Sequence, residues 1–339
     1  MTTHTRHPHR HRPVRAAQLL ASLTLLTACA GPGAGGEDTG LRIAVAPNAV
    51  LDAATAGLRT DRELTSEAGS VRFSALRNPD EIRTQLTSNS VDVLTLPSNI
   101  AANLHNRGVD VRILGVVGGP VDVLVGPDDA APSWSSLRGA TVHIPFKGDV
   151  NDVLFRHLAR KNGLTPGEDL TVVNHPGLPD LLTAVSAGEV DYALLPEHQA
   201  SLAVSRAASV GRPKKQILTL GEQWRKATGQ RSLPTYAVGV RGRFAEDHPE
   251  LVGHLHRALT RSARSAADRP AAIAPQVARR TGAPGPLVTG LLDRLTPTYR
   301  SARDARPELT ALFTELAAAS PALVGGKVPG AGLYVTEGP

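Results

Sequence analysis

The 339-residue chain has one cysteine, Cys29, and only 3% aromatic residues. A single cysteine excludes any disulfide within a monomer. With so few rings, the cores must be built from Leu, Val, Ile and Ala, and a stacking cage for a ring-shaped ligand has few candidate walls. Acidic residues are missing from the first 28 positions, which hold four of the 37 basic residues and none of the 31 acidic ones. Without that segment the balance is 33 basic against 31 acidic residues, or +2, so the net +6 of the whole chain is no footprint for nucleic acid. No Lys/Arg cluster interleaved with aromatics appears either. Catalytic signatures are absent as well: no Gly-x-Ser-x-Gly, His-Glu-x-x-His, Walker loop or Gly-x-Gly-x-x-Gly stands in a supporting context.

The opening segment itself reads as an export signal over residues 1–28. Arg6, Arg10, Arg12 and Arg15 form its basic start, and the apolar stretch Ala16 to Leu26 is too short to span a membrane as a mature helix. His4, His7, His9 and His11 belong to the same basic start and are assigned no metal. Leu26-Thr-Ala-Cys29 resembles the lipobox of bacterial lipoproteins, which makes Cys29 the expected lipidation site and the mature N-terminus. Residues 29–40 are small and polar, as suits a flexible tether.

About 300 residues remain, enough for two lobes with a core each. Two motifs recur at one spacing. Ile43-Ala-Val-Ala46 returns as Val142-His-Ile-Pro145, and Val91-Asp-Val-Leu-Thr-Leu-Pro97 returns as Val190-Asp-Tyr-Ala-Leu-Leu-Pro196, each 99 residues on. The spacing predicts two similar α/β lobes without requiring common ancestry. Strands are expected over 41–46, 70–76, 91–96 and 110–116 with helices over 50–59, 79–89 and 98–107. The second lobe repeats the alternation: strands 121–125, 140–145, 170–174, 190–195 and 216–220, helices 149–162, 178–187 and 197–208. A strand at 234–240 returns to the first lobe, and helices over 248–267, 270–281, 285–294 and 307–319 follow. This is an α/β protein of two doubly wound parallel-sheet lobes joined by a two-strand hinge, with a helical C-terminal extension. The expected lobes are 41–119 with 235–339, and 120–234. Ligands in such sheets sit at the carboxyl ends of the strands.

Trp134-Ser-Ser-Leu-Arg-Gly-Ala-Thr-Val-His-Ile-Pro145, Leu158 to Leu164 with Asp169 to Val173, Ala187-Gly-Glu-Val-Asp-Tyr-Ala193, Leu195-Pro-Glu197 and Gly326 to Tyr334 resemble, in order, the solute-binding proteins of ABC importers. The nitrate/sulfonate/taurine branch is the most similar, and the fold implied is that of type II periplasmic binding proteins. The sequence departs from that pattern in two places. Asp149 stands where Ser or Thr is frequent, and His198 where a second proline is common. A carboxylate at Asp149 repels an anion and suits an amine.

Candidate ligand-binding residues are those at the expected strand ends: Asn48, which follows Pro47, then Pro97, Ser98 and Asn99 in the first lobe, and Lys147, Gly148, Asp149, Glu197 and His198 in the second. Unpaired N–H groups at the helix start around Gly148 can hold an anionic or carbonyl oxygen, whereas Asp149 and Ser98 equally fit ordinary helix caps. Glu197 fits either a ligand cation or a pair that closes the lobes. Gly118, Gly119 and Tyr236, at the expected hinge, complete the candidate ligand-binding residues. His143 reads as a satisfied core histidine, and His157, His254 and His256 as surface. The resemblance implies an extracytoplasmic, lipid-anchored receptor, not an enzyme, that binds a small polar solute by hinge closure and hands it to permease subunits. It implies no cofactor, no metal and a monomer. The alternatives are an enzyme on the same fold, similar to menaquinone-pathway dehydratases or thiamine-pyrimidine synthases, and a ligand-sensing lipoprotein.

Overall fold

A computed structural model describes residues 40–336 except positions 47, 77, 78, 120, 121 and 283. The export signal, Cys29, nearly all of the tether and Pro47 therefore lie outside the described residues.

The first lobe opens with β1 (Leu41–Val45), α1 (Ala49–Thr55), α2 (Arg62–Ala68), β2 (Val71–Ala75), α3 (Pro79–Thr87), β3 (Val93–Pro97), α4 (Ser98–Asn106) and β4 (Arg112–Gly118). The chain then enters the second lobe through β5 (Asp122–Pro127), β6 (Thr141–Pro145), α5 (Val150–Lys161), β7 (Thr171–His175), α6 (Leu178–Ser186), β8 (Tyr192–Pro196), α7 (Glu197–Ser209), β9 (Lys214–Thr219) and α8 (Leu220–Thr228). It returns as β10 (Tyr236–Val240), followed by α9 (Gly242–Asp247), α10 (Pro249–Asp268), α11 (Pro270–Thr281), α12 (Gly285–Leu295), β11 (Thr298–Ser301) and α13 (Ala302–Ala319).

One sheet runs β11-β4-β10-β3-β1-β2 and the other β7-β6-β8-β5-β9. The 99-residue spacing is built into their register. Ile43 pairs with Phe73 and Val93 in the first sheet, and Val142 with Val172 and Tyr192 in the second. Neither sheet is wholly parallel, contrary to the sequence expectation. β10 lies antiparallel between β3 and β4, and β5 antiparallel between β8 and β9. Each of these strands carries the chain from one lobe to the other and so enters its sheet from the opposite end.

Alternate strand residues face opposite sides and both sides are covered, as α/β sheets require. Ile43, Val45 and Val93 pack with α1 and α10, while Val123, Val125 and Leu195 pack with α6 and α7. The remaining faces share one continuous cluster. It runs from Ala44, Leu94 and Leu96 through Phe313 on α13 to Phe155 on α5 and Val142 and Ile144 on β6. The lobes thus touch through α5 and α13, where His157 Nδ1 also lies 3.1 Å from Glu315 Oε2.

Besides α9, which was not expected, four further elements depart from the sequence expectation. α2 is short and buries only Leu64 and Ala68, which leaves little hydrophobic period to read. α8 replaces an expected irregular stretch: Thr219 caps it, Gly229 ends it at φ 71°, and it buries Leu220, Gln223 and Trp224 on one face. β11 extends the first sheet at its β4 edge. α13 begins at Ala302, before Pro307, because the Ser301 hydroxyl accepts from the Asp304 N–H at 3.1 Å.

Candidate functional site

The crossing strands bring the candidate site together. Tyr236 opens β10 opposite Pro97, the last residue of β3, and Asp122 opens β5 opposite Pro196, the last residue of β8. Pro97 and Pro196 are related by the 99-residue spacing, so Tyr236 and Asp122 hold equivalent places in the two sheets. Both stand at the carboxyl ends of the parallel strands, the edge at which such sheets bind ligands.

Asn48, at the end of β1, caps α1: its Oδ1 accepts from Val50 N at 2.9 Å and Leu51 N at 3.3 Å. Its side chain also acts on the Tyr236 hydroxyl, opposing the upward shift of its pKa. Burial pushes the Tyr236 hydroxyl well above its ordinary range, and the charges of Asp122 and Asp149 push the same way. Two residues of the first lobe therefore share one electrostatic environment with two carboxylates of the second.

Asp122 is 4% exposed. Its one hydrogen-bond donor among the described residues is Asn151 Nδ2, 3.2 Å from Oδ1. Burial first, and the Asp149 charge second, push its carboxyl up to about 7. Around it, residues 146–149 at the carboxyl end of β6 are all exposed and form an open rim. Phe146 stands there 47% exposed with a left-handed φ of 56°, a conformation that is uncommon outside glycine.

Two of the helix-start donors expected to be unpaired are occupied. Gly148, left-handed at φ 76°, donates its N–H to Asp152 Oδ2 at 2.9 Å, and Val150 N donates to Asp149 Oδ1 at 2.7 Å. Asp149 is thus the cap of α5, and Asp152 is held in turn by Arg156 Nε at 2.7 Å. Lys147 is exposed on the same loop. The start of α5 therefore presents carboxylates beside the amides of Asn151 and Asp152, which have no acceptor among the described residues.

Other candidates are engaged within the protein. Ser98 is fully buried, and its hydroxyl donates to the Pro234 carbonyl at 2.6 Å, so it ties α4 to the returning segment and does not cap the helix. Asn99 Nδ2 reaches the Leu323 carbonyl at 3.5 Å. Gly118 ends β4 beside Thr298, whose hydroxyl would lie 2.4 Å from any added Cβ, and Gly119 precedes the crossing into β5. Glu197 takes the lobe-closing arrangement. Its Oε1 accepts from Arg294 Nη2 at 3.0 Å, Gln216 Nε2 at 2.9 Å and Ser201 Oγ at 3.2 Å. Its Oε2 is buried with no partner among the described residues. Next to it, His198 is half-buried, and burial lowers its pKa while the Glu197 charge opposes the shift.

The remaining histidines lie apart from this cluster. His143 Nδ1 is 2.8 Å from His175 Nε2, and burial, then the neighbouring ring, lowers its pKa. His157, His254 and His256 are half-buried and not at the surface as expected: His254 lies 3.3 Å from Glu63 Oε1 on α2, and His256 Nδ1 is 2.6 Å from the hydroxyl of Tyr299 on β11. Among the described residues no group of three or more His, Cys, Asp or Glu side chains is placed to hold a metal ion, and no helix is long and apolar enough to cross a membrane.

Sequence reasoning missed Asp122, Asn151, Phe146 and Arg294. Asp122 did leave a signal, a lone acid opening the apolar run Val121-Asp-Val-Leu-Val125. Arg294 left none, since its partner is 97 positions away.

The model of the NMT1-like family matches residues 97–281. Among solved structures, an ABC transporter protein from Parabacteroides distasonis superposes with a TM-score of 0.73 at 20% identity, over 88% of this chain and 100% of that one. The periplasmic aliphatic sulphonate binding protein SsuA from Escherichia coli gives 0.66 at 14% identity, over 86% and 89%. The periplasmic nitrate-binding protein NrtA from Synechocystis PCC 6803 gives 0.58 at 15% identity, over 82% and 81%. No curated protein matches the chain in sequence. At these identities the likeness establishes the two-lobed α/β fold of periplasmic binding proteins.

Proposed function

Since the chain belongs to the NMT1-like family, we propose that it is the extracytoplasmic solute-binding component of an ABC importer, a receptor whose lobes close on a small polar molecule. One observation carries the reading. Asn48 and Tyr236 from one sheet and Asp122 and Asp149 from the other act on one another at the strand ends, where a bound solute touches both lobes at once. Such a ligand favours the closed arrangement by the contacts it makes only there.

The lobes of this receptor are 41–119 with 235–339, and 120–234, and the two crossings near Gly118–Gly119 and Tyr236 form its hinge. Cys29 carries the lipid that holds it at the outer face of the cell membrane, and it docks as a monomer on permease subunits. It has no catalytic role. The superposed sulphonate- and nitrate-binding proteins support the receptor reading over the enzyme one.

The test is a solute screen on the protein from residue 30 onward, read by melting temperature and by small-angle scattering. A true ligand raises the melting temperature in proportion to its saturation and shrinks the radius of gyration. If sulfonates, nitrate, amino acids, amines and pyrimidines all leave both unchanged, the receptor reading fails. In cells, Cys29→Ser releases the protein from the membrane fraction if the lipid anchor is correct.

A further inference from the structure

Six carboxylates are buried among the described residues: Asp52, Asp92, Asp122, Asp152, Glu197 and Glu308. Five of them have an arginine. Arg280 pairs with Asp52, Arg42 and Arg241 with Asp92, Arg156 with Asp152, Arg294 with Glu197, and Arg300 with Glu308. A buried charge is costly unless it is paired, and the fold obeys that rule five times. Asp122 breaks it. No Lys, Arg or His pairs with it among the described residues, and its donor there is the neutral Asn151 amide, at 3.2 Å from Oδ1.

The unpaired carboxylate stands at the strand-end site and nowhere else. The charge that acts on it is of the same sign, Asp149, and two of the amides at the start of α5, those of Gly148 and Val150, are already bonded to Asp152 and Asp149. An incoming anion would meet the like charges of Asp122 and Asp149 with no arginine or histidine paired to either, and only the Asn151 and Asp152 amides and the exposed Lys147 to offset them. A cation finds two carboxylates. It also finds the aromatic side chains of Tyr236, within the field of both carboxylates, and Phe146, exposed on the adjoining rim; ring faces attract cations.

We propose that the site takes a cationic solute, a small organic amine or quaternary ammonium compound, whose positive charge completes Asp122. The inference rests on the receptor reading and fixes its substrate class. A divalent metal is the less suited occupant, because two carboxylates supply too few anionic ligands and exposed Phe146 contributes none. The raised carboxyl pKa is what an acid awaiting its cation shows: unliganded, it holds its proton up to about 7.

The test has two arms, run at pH 8 on the protein from residue 30 onward. Calorimetric titrations compare ethanolamine, choline and 1,4-diaminobutane with ethanesulfonate, nitrate and zinc chloride. At least one amine binds, and Asp122→Asn weakens it tenfold or more. Binding of ethanesulfonate or nitrate to the same site, undiminished by Asp122→Asn, overturns the charge assignment and leaves the receptor reading standing. Zinc binding that Asp122→Asn abolishes, with no amine bound, overturns it in favour of a metal. If no solute of either charge binds, the receptor reading falls and the inference with it.

The second arm needs no ligand. Asp122→Asn raises the melting temperature of the unliganded protein, because it removes an uncompensated buried charge, whereas Asp92→Asn lowers it by breaking two arginine bonds. A fall for Asp122→Asn comparable to that for Asp92→Asn shows that Asp122 is a structural acid and overturns the proposal.

Discussion

Arg294 on α12 and Glu197 at the head of α7 are joined across the two lobes, Nη2 to Oε1 at 3.0 Å, with Ser201 Oγ also 2.8 Å from the same guanidinium nitrogen. Glu197 is 3% exposed, so the pair joins the lobes at a second place besides the α5–α13 contact. Removing the arginine leaves a buried carboxylate with only Gln216 and Ser201 as donors. Arg294→Ala therefore lowers unfolding free energy by about 1–3 kcal/mol, the cost of losing hydrogen bonds to a charged group. It also increases the unliganded radius of gyration in small-angle scattering. In a double-mutant cycle, Glu197→Gln recovers part of the loss, since the charge left behind is gone.

The Asp122 carboxyl makes unliganded stability depend on pH. Its folded value, about 7, lies above the ordinary 3.8. A group raised on folding contributes stability that is fully present below its unfolded pKa and is lost as pH rises through the folded one. The contribution therefore falls between roughly pH 4 and 7 and is on the order of 4 kcal/mol at most, at 1.36 kcal/mol per unit. Urea titrations across that window show a decline in the native protein that Asp122→Asn flattens. Amine binding runs the other way, because the ligand needs the ionised acid. Its affinity rises up to tenfold per pH unit below about 7 and then levels, with up to one proton released per ligand bound at low pH.

The 99-residue spacing was legible because sheet register turns it into geometry: positions 43, 73 and 93 against 142, 172 and 192 are one pattern of strand pairing. A helix start with a side-chain cap was legible at Asp149, whereas Ser98, read as a cap in the same way, donates to Pro234 instead. The antiparallel entry of β5 and β10 was not, since a strand's direction depends on which lobe the chain has just left. α8 carried its own signals, Thr219 before it and Gly229 after it, but its polar composition hid the buried face of Leu220 and Trp224. Pairings such as Arg294–Glu197 have no local signature. The special place of Asp122 appears only when every other buried acid is seen beside its arginine, which is a property of the whole fold.

Phe313 is fully buried in the cluster that joins the lobes through α5 and α13. Truncation there removes contacts on both sides. Phe313→Ala costs about 3–5 kcal/mol, the range for large-to-small changes in a packed core. Denaturant unfolding measures it. Because the cluster spans the lobes, the loss is accompanied by a larger unliganded radius of gyration, an effect that truncating Leu181 in the second lobe's separate cluster does not produce.

Gly148 is left-handed at φ 76°, and an added Cβ meets nothing within 4 Å. The cost of Gly148→Ala is therefore conformational alone, about 1–2 kcal/mol for an L-residue held in that region. If the turn relaxes instead, the Gly148 N–H leaves Asp152, and the Asp149 cap shifts with it. The variant then loses amine affinity while its melting temperature falls little. A loss of stability with affinity unchanged shows that the turn held its shape.

Ser98 separates the structural from the binding role at the end of β3. It stood among the candidate ligand residues, yet its hydroxyl is spent on the Pro234 carbonyl at 2.6 Å, and its backbone N–H on the Thr235 carbonyl at 2.9 Å. Both bonds anchor the segment that delivers Tyr236 to the site. Ser98→Ala removes the first and leaves a buried carbonyl short of a donor, which costs about 1–3 kcal/mol. The backbone bond and the β10 pairing persist, so Tyr236 keeps its place opposite Pro97. Ligand affinity in calorimetric titration then changes less than twofold, while Tyr236→Phe, which deletes the hydroxyl that Asn48 acts on, lowers it several-fold without a comparable loss of stability. The reverse pattern, affinity lost with Ser98 and kept without the Tyr236 hydroxyl, moves the binding surface from β10 to the start of α4.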